Sequence, residues 1–276
     1  MTNDPRAALD AIGMLPDTEI DIADAALQLA RVDAPDADWT LARAHLSELA
    51  RQAVAIAAGI PADDLAHRAI ALSGLLGGRY GYTGDTEHYD DLVNANLIRV
   101  IERRRGLPVA LGIIWLHTAR AAGWPGHGVD FPAHFLVALE GRTSQVILDV
   151  FHGGAPLKNS DLRALLKRVQ GEDAQLRPGI LRPMSARRVL LRLQNNVMTR
   201  RLQAGNIEGA LDCAEDMLRI APDHAELWRH AALMNQRLER VGAAVRCYDR
   251  FLALVPHGDA ADHARAAVAD LRTRLN

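Results

Sequence analysis

The 276-residue sequence is short of aromatic residues, of cysteine and of net charge: Phe, Trp and Tyr make up 4% of it, the thiols are Cys213 and Cys247, and the formal net charge is −2. Near-neutrality removes the broad positive field that would draw nucleic acid or an anionic membrane. Scarce aromatics leave the local basic runs without interleaved stacking platforms. Two cysteines do not make the disulfide framework of a secreted scaffold. No apolar stretch reaches about 18 residues without a charged or polar break. The start, MTNDPRAALDAIGMLPDTE, has no basic segment followed by an apolar run. These absences predict a soluble, cytoplasmic protein with no membrane or nucleic-acid partner.

What is present is helix-forming and apolar. The hydrophobic share is 49%, enough for a sizeable core, and alanine is abundant, which favours helix. The length admits two domains, or one with a helical extension. Ala and Leu recur at spacings of three and four over 22–32, 37–57 and 62–76. Asp21, Asp33, Pro35 and the PADD of 61–64 supply breaks or starts. Residues 1–76 are therefore expected to form an N-terminal helical layer of the core domain.

Residues 77–96, GGRYGYTGDTEHYDDLVNAN, break that periodicity and read as a shaped loop, either a ligand-binding segment or a connector. Helix resumes at 97–105 and stops at Gly106. Pro108 suits the first turn of the next helix, where its missing N–H is no loss. That helix, 108–122, is apolar nearly all round and so predicted to be central and buried. FLVAL at 135–139 and VILDV at 146–150 flank EGRTSQ, the pattern of an antiparallel hairpin. If Glu140 pairs with Gln145, His134 shares a face with Asp149 and lies diagonal to it, within reach. Residues 153–183 read as Gly/Pro-punctuated with a short helix at 160–169.

From Ser185 the sequence is helical and repeats itself. Ala210, Cys213 and Pro222 recur at Ala244, Cys247 and Pro256, and GNIEGALDCAEDMLRIAP aligns without gaps with ERVGAAVRCYDRFLALVP. A period of 34 with a terminal proline is the tetratricopeptide signature. Repeats at 189–222 and 223–256 with a capping helix at 259–275 follow. The two cysteines take equivalent slots, which predicts helix packing and no catalytic role. The array either packs on its own domain or offers a groove to a peptide.

The candidate chemistry centres on His134 and Asp149. A carboxylate fixes the tautomer of a histidine and raises its basicity. A buried pair can equally serve only to clamp two strands. His88, His127, His134, His152 and Asp149 fall in one region, but no short ligand spacing such as HExxH is present, so no metal and no other cofactor is expected. Arg103–Arg104–Arg105 and Arg187, Arg188 and Arg192 read first as solvated faces or salt bridges.

Tyr89–Asp90 with Asn94–Leu97, RRRGLPVALG at 103–112, GVDFPAHFLV at 128–137 and LDVFHGG at 148–154, in that order, resemble the SirB1 family over about residues 35–265. This is a transglutaminase-like group with a tetratricopeptide-type tail. The resemblance implies an α+β, transglutaminase-like (papain-like) core at 77–184, with 1–76 as its helical layer and TPR-like helices at 185–276. In active members of the wider superfamily a Cys opens the central helix, and a His and an Asp sit on successive strands. His134 and Asp149 match the last two. The place of the Cys falls at Pro108, which has neither a nucleophile nor an N–H for an oxyanion. Two further departures are Ala133 where much of the family has Gly before the His, and Val150 where Pro often follows the Asp.

These features predict a non-catalytic binding, scaffold or regulatory module with a protein or peptide partner. Tyr82, Tyr89, Asn94, Asn96 and His152 are the candidate lining of a pocket that could hold a peptide end or small ligand. The competing reading is a hydrolase in which His134 is general base for water and Asp149 orients it, with Tyr82 or Asn96 as nearby donors.

Overall fold

The computed structural model describes residues 4–61, 63–177 and 179–274. Ala62, within the break expected at 61–64, lies outside them. By contacts the chain divides into residues 16–193 and a second unit made of the two flanking segments. The first helix, α1 (Pro5–Gly13), belongs to that second unit.

In the larger unit, α2 (Ile22–Asp33), α3 (Trp39–Ala57) and α4 (Leu65–Ser73) each start at an aspartate, Asp21, Asp38 and Asp64, whose carboxylate accepts a first-turn N–H. After α4 the chain makes a wide turn, 74–79, closed by the Tyr80 N–H on the Leu75 carbonyl. β1 (Thr83–Gly84), α5 (Leu97–Arg103) and β2 (Arg105–Gly106) follow, and β1 pairs parallel with β2. Next comes α6 (Pro108–Ala121), buried from Pro108 to Trp115, as its lack of a polar face predicts.

β3 (Gly126–Phe131), β4 (His134–Glu140), β5 (Gln145–Asp149), β6 (Ala155–Leu157) and β7 (Pro183–Met184) form an antiparallel sheet of order β6-β5-β4-β3-β7, with α7 (Asn159–Gln170) between the last two strands in sequence. The β4–β5 register is the expected one, with Glu140 opposite Gln145. One face carries Val129, Phe131, Leu136, Ala138 and Ile147, packed on Leu162 and Leu166 of α7. The other meets α6: a Cβ on Gly112 would stand 2.2 Å from the Phe135 ring. β3 is not legible as a strand from GHGVDF, because Gly126 and Gly128 dilute its β pattern. Gly128 is small for a packing reason, since a Cβ there would be 2.6 Å from Phe135.

The second unit contains the helical repeats. α8 (Ala186–Gln203) crosses the division at 193/194, and α9 (Ile207–Ile220), α10 (Ala225–Arg237), α11 (Val241–Leu254) and α12 (Asp259–Thr273) pack in sequence. Ala232, Ala244, Tyr248, Phe251, Ala264 and Leu271 form one core cluster here. Cys213 is buried and Cys247 half-buried among these helices.

α1 packs on α9. The reason is chemical. Asp216 is a buried carboxylate on α9, and Arg6 reaches it at 2.9 Å. Arg219 in turn holds Asp10 at 2.8 Å, and Gly13 lies so close to the Arg219 carbonyl that a Cβ would be 2.1 Å from it. No described helix is long and apolar enough to cross a membrane.

The Gly112–Phe135 contact gives a direct test. Gly112→Ala, although it raises helix propensity, is expected to destabilise the protein by about 2 kcal/mol through overpacking, read as a lower midpoint in urea. An unchanged midpoint would mean that α6 does not sit this close to β4.

Candidate functional site

His134 opens β4 and Asp149 ends β5. Their diagonal placement brings His134 Nε2 to 3.0 Å from Asp149 Oδ1. The second carboxylate oxygen, Oδ2, is 2.8 Å from Nδ1 of His152. The Phe151 N–H also donates to Oδ1 at 3.1 Å, so that Asp149 caps the single 3-10 turn Val150–His152. Burial pushes the Asp149 carboxyl up, but hydrogen bonds and charge from His134 and His152 outweigh it and hold the group below its ordinary value. The side chain of His134 is 12% exposed and that of His152 65%, so one lies inside the site and the other at its rim.

Because Asp149 takes Nε2, the nitrogen of His134 left for other chemistry is Nδ1. It makes no hydrogen bond among the described residues. Any general-base role of His134 therefore falls to Nδ1.

Phe151 joins the site rings. It meets His134 at 6.2 Å, His152 at 5.4 Å and Tyr89 at 5.8 Å between centroids, each edge to face. Tyr89 is 40% exposed and, with His152, forms the accessible rim. The loop of 77–96 reaches Phe151 at close quarters. A Cβ on Gly84 would be 2.2 Å from the Phe151 ring, Gly77 abuts the Gly153 carbonyl, and Thr83 donates to the Phe151 carbonyl at 3.0 Å.

Tyr82, Asn94 and Asn96 have other tasks. Tyr82 is fully buried, stands edge to face with Trp115 at 6.1 Å, and accepts from Arg104 at its hydroxyl. Arg104 also reaches His45 Nε2 at 2.7 Å, and burial with that charge pushes His45 down to about 4, leaving it a neutral acceptor. Asn94 donates to the His88 carbonyl and accepts from Arg103. Asn96 caps α5 and donates to the Ala30 carbonyl at 3.0 Å. The two donors named for the hydrolytic reading, Tyr82 and Asn96, are thus engaged elsewhere.

The basic runs are internal fasteners. Arg103 pairs with Asp85 at 2.8 Å, and Arg105 donates to the Gly81 carbonyl at 3.0 Å. Arg187 pairs with Asp17, while Arg192 pairs with Asp130 and donates to the His134 carbonyl at 2.8 Å. Arg192 and Phe151 are site residues that spacing alone does not reveal. The only trace of Phe151 in the sequence is its place between Val150 and His152 after the strand.

Pro108 is the first residue of α6 and is buried, and the preceding Leu107 gives no side-chain cap. Its neighbour one turn on along the same helix face is Gly112, which meets Phe135, the residue after His134. Among the described residues no group of three His, Cys, Asp or Glu is arranged to hold a metal ion.

Residues 41–195 match the family model of the transglutaminase-like superfamily, and residues 199–269 that of a tetratricopeptide repeat. A UPF0162 protein of Xylella fastidiosa strain Temecula1 is 32% identical over 70% of each chain. Another, from strain 9a5c, is 29% identical over 95% of this chain and 94% of that one. Among solved structures, the crystal structure of menin aligns at 9% identity with a TM-score of 0.41, covering 96% of this chain and 74% of menin.

Two outcomes are expected at this site. The lowered carboxyl of Asp149 stabilises the fold fully above its unfolded value, near 3.8, and the stabilisation is lost as pH falls through the lower folded value. The stability gap between wild type and Asp149→Asn, measured by urea melts from neutral pH downward, should therefore narrow below about pH 4. A gap that widens there would show that the histidines do not hold the carboxylate ionised. The second concerns Ala133, which has φ of 52° in the turn between β3 and β4. Ala133→Gly is expected to be neutral or stabilising by up to about 1 kcal/mol, because the left-handed strain is relieved. A loss of about 1 kcal/mol, the usual helix-interior cost of this exchange, would contradict the strained turn.

Proposed function

Since the chain belongs to the transglutaminase-like superfamily and to the UPF0162 proteins within it, we propose that it is a non-catalytic member that binds a protein or peptide partner. The carrying observation is Pro108 at the buried start of α6. A thiol enzyme of this architecture needs its nucleophile there, activated by the helix terminus and a neighbouring imidazole. Proline supplies no attacking atom. Cys213 and Cys247 lie on α9 and α11 of the repeat helices, and burial pushes the Cys247 thiol up, away from thiolate.

The motif order from Tyr89 to Gly154 supports placing the chain with the SirB1 family. The rim of Tyr89 and His152 beside the His134–Asp149 pair is the surface we assign to the partner. Aromatic and imidazole side chains over a rigid turn suit an anchor for a peptide end. The tail of repeat helices supports the same class of role, since stacked helix pairs present extended surfaces. We place the protein in the cytoplasm, with no cofactor and no nucleic-acid partner.

One observation favours a second reading, hydrolysis with His134 as base: Asp149 holds Nε2 and leaves Nδ1 without a hydrogen bond. The two readings separate in one experiment on the full-length protein. Ester hydrolysis, glutamine amidase and acyl-transfer assays are expected to show no turnover above that of the His134→Ala variant. Partner capture on immobilised protein should fall by about tenfold in Tyr89→Ala, because hot-spot side chains carry most of the binding energy, while the variant stays folded by circular dichroism. Turnover abolished by both His134→Ala and Asp149→Asn would replace the binding reading with the hydrolytic one.

A further inference from the structure

At the other end of the β3–β4 hairpin from His134, about 20 Å along β4 at strand spacing, is a half-open cavity of about 420 Å3. This is the size of small-molecule sites. Its walls include Ile20 and Ile22 around the start of α2, Leu116 and Trp124 around the end of α6, His127 of β3, Met184 of β7 and Val189 of α8. The wall is mainly apolar, and Trp124 and Val189 are buried side chains. None of His134, Asp149 and His152 lines it.

The charges at this cavity are unevenly matched. Asp17 is paired with Arg187 at 3.1 Å. Glu140 is paired with Nδ1 of His127. Arg120 has no carboxylate partner among the described residues. It donates instead to the carbonyls of Ile20, at 2.9 Å, and Thr18, at 3.4 Å. Those two bonds fix the guanidinium at the cavity without neutralising it. His127 adds a second unmet group. Its Nε2 is the one buried polar side-chain atom of this wall, among the described residues, with no hydrogen-bond partner. A buried polar atom without a partner in a native fold calls for an explanation, and a ligand headgroup supplies one. With both nitrogens protonated, the ring can donate from Nδ1 to Glu140 and from Nε2 to an anion.

We propose that this cavity binds a small amphiphilic carboxylate, with its apolar chain against Ile22, Leu116, Trp124 and Val189 and its carboxylate facing Arg120 and His127. A fixed guanidinium beside an apolar wall selects both halves of such a molecule. A planar carboxylate matches the guanidinium fork, and the chain is drawn from water by the wall. A neutral molecule of the same chain length leaves the cation unmatched, and a cationic one is repelled. The site is independent of any role of His134.

Octanoate is the probe, with octan-1-ol and octylamine as chain-matched neutral and cationic controls. Each is titrated into the full-length protein and followed by calorimetry and by tryptophan fluorescence. Octanoate is expected to bind saturably at one site, at least about tenfold more tightly than octan-1-ol, since charge-assisted pairs are the strong ones. Octylamine should not bind. Arg120→Gln should weaken octanoate by about tenfold, and His134→Ala should leave it unchanged. The selectivity of the unmodified protein tests the idea even if Arg120→Gln lowers the melting temperature. The proposal is overturned by no saturable octanoate binding, by octan-1-ol binding equally well, or by a folded Arg120→Gln protein that binds octanoate as wild type does.

Discussion

A carboxylate taken out of water must be surrounded by donors, or the fold carries an uncompensated charge. Asp149, 5% exposed, is in that position, and the candidate site is the set of groups that meet its demand. His134 comes from the start of β4, His152 from the end of the turn, and the Phe151 N–H from between. Meeting one carboxylate from three places fixes the exit of β5, the 3-10 turn and the imidazole of His134 together. The path of the chain past that turn depends on it as well. Gly153 and Gly154 continue with positive φ, and Gly154 returns its N–H to the Asp149 carbonyl at 2.8 Å.

Around this anchor the segment from Gly77 to Gly106 is held by close approach and by arginine. Gly77 and Gly84 lie where any side chain would collide with the turn at 151–153. Arg103, Arg104 and Arg105 then tie the segment to the end of α5 through Asp85, Tyr82 and the Gly81 carbonyl. Each of the three consecutive arginines at this helix end thus has internal partners of its own. The same accounting explains Tyr82, Asn94 and Asn96. A long loop has many backbone groups to satisfy, and its polar side chains are the nearest means of doing so. Polar residues in a shaped loop are therefore as apt to be scaffold as lining. Tyr89, which contributes its ring to the cluster at the rim, differs in being exposed.

Local periodicity made much of the fold legible. The helices at 22–33, 39–57 and 108–121, the β4–β5 register and the 34-residue repeat all follow from spacing, and spacing is a local property. The features that escaped are non-local. α1 is separated by 210 positions in sequence from the carboxylate that Arg6 meets, so nothing near residue 6 announces its allegiance. β3 carries Gly128, whose purpose, room for Phe135 and Val189, exists only after folding. Of the site, the His134–Asp149 pairing was readable from register. Which nitrogen of His134 it uses was not, because tautomer and ring direction depend on what else surrounds the carboxylate. The departure at Ala133 was visible as a missing glycine, and its meaning, a left-handed turn residue with a Cβ, needed the backbone angle.

An oriented imidazole is commonly taken as a mark of catalysis, yet here the orientation has a structural cause that is sufficient by itself. Asp149 is required to close the turn at 150–152, and any histidine within reach of its Oδ1 would be drawn into line. The same bond also leaves Nδ1 of His134 without a hydrogen bond among the described residues. The side chains that discriminate are therefore those at the exposed rim. Tyr89 and His152 are substantially exposed, and each stands edge to face with the Phe151 ring. Large, polar-tipped rings exposed over a rigid turn are what the proposed surface role would use. The physical case for recognition thus rests on the rim, and the buried pair beneath it supplies rigidity.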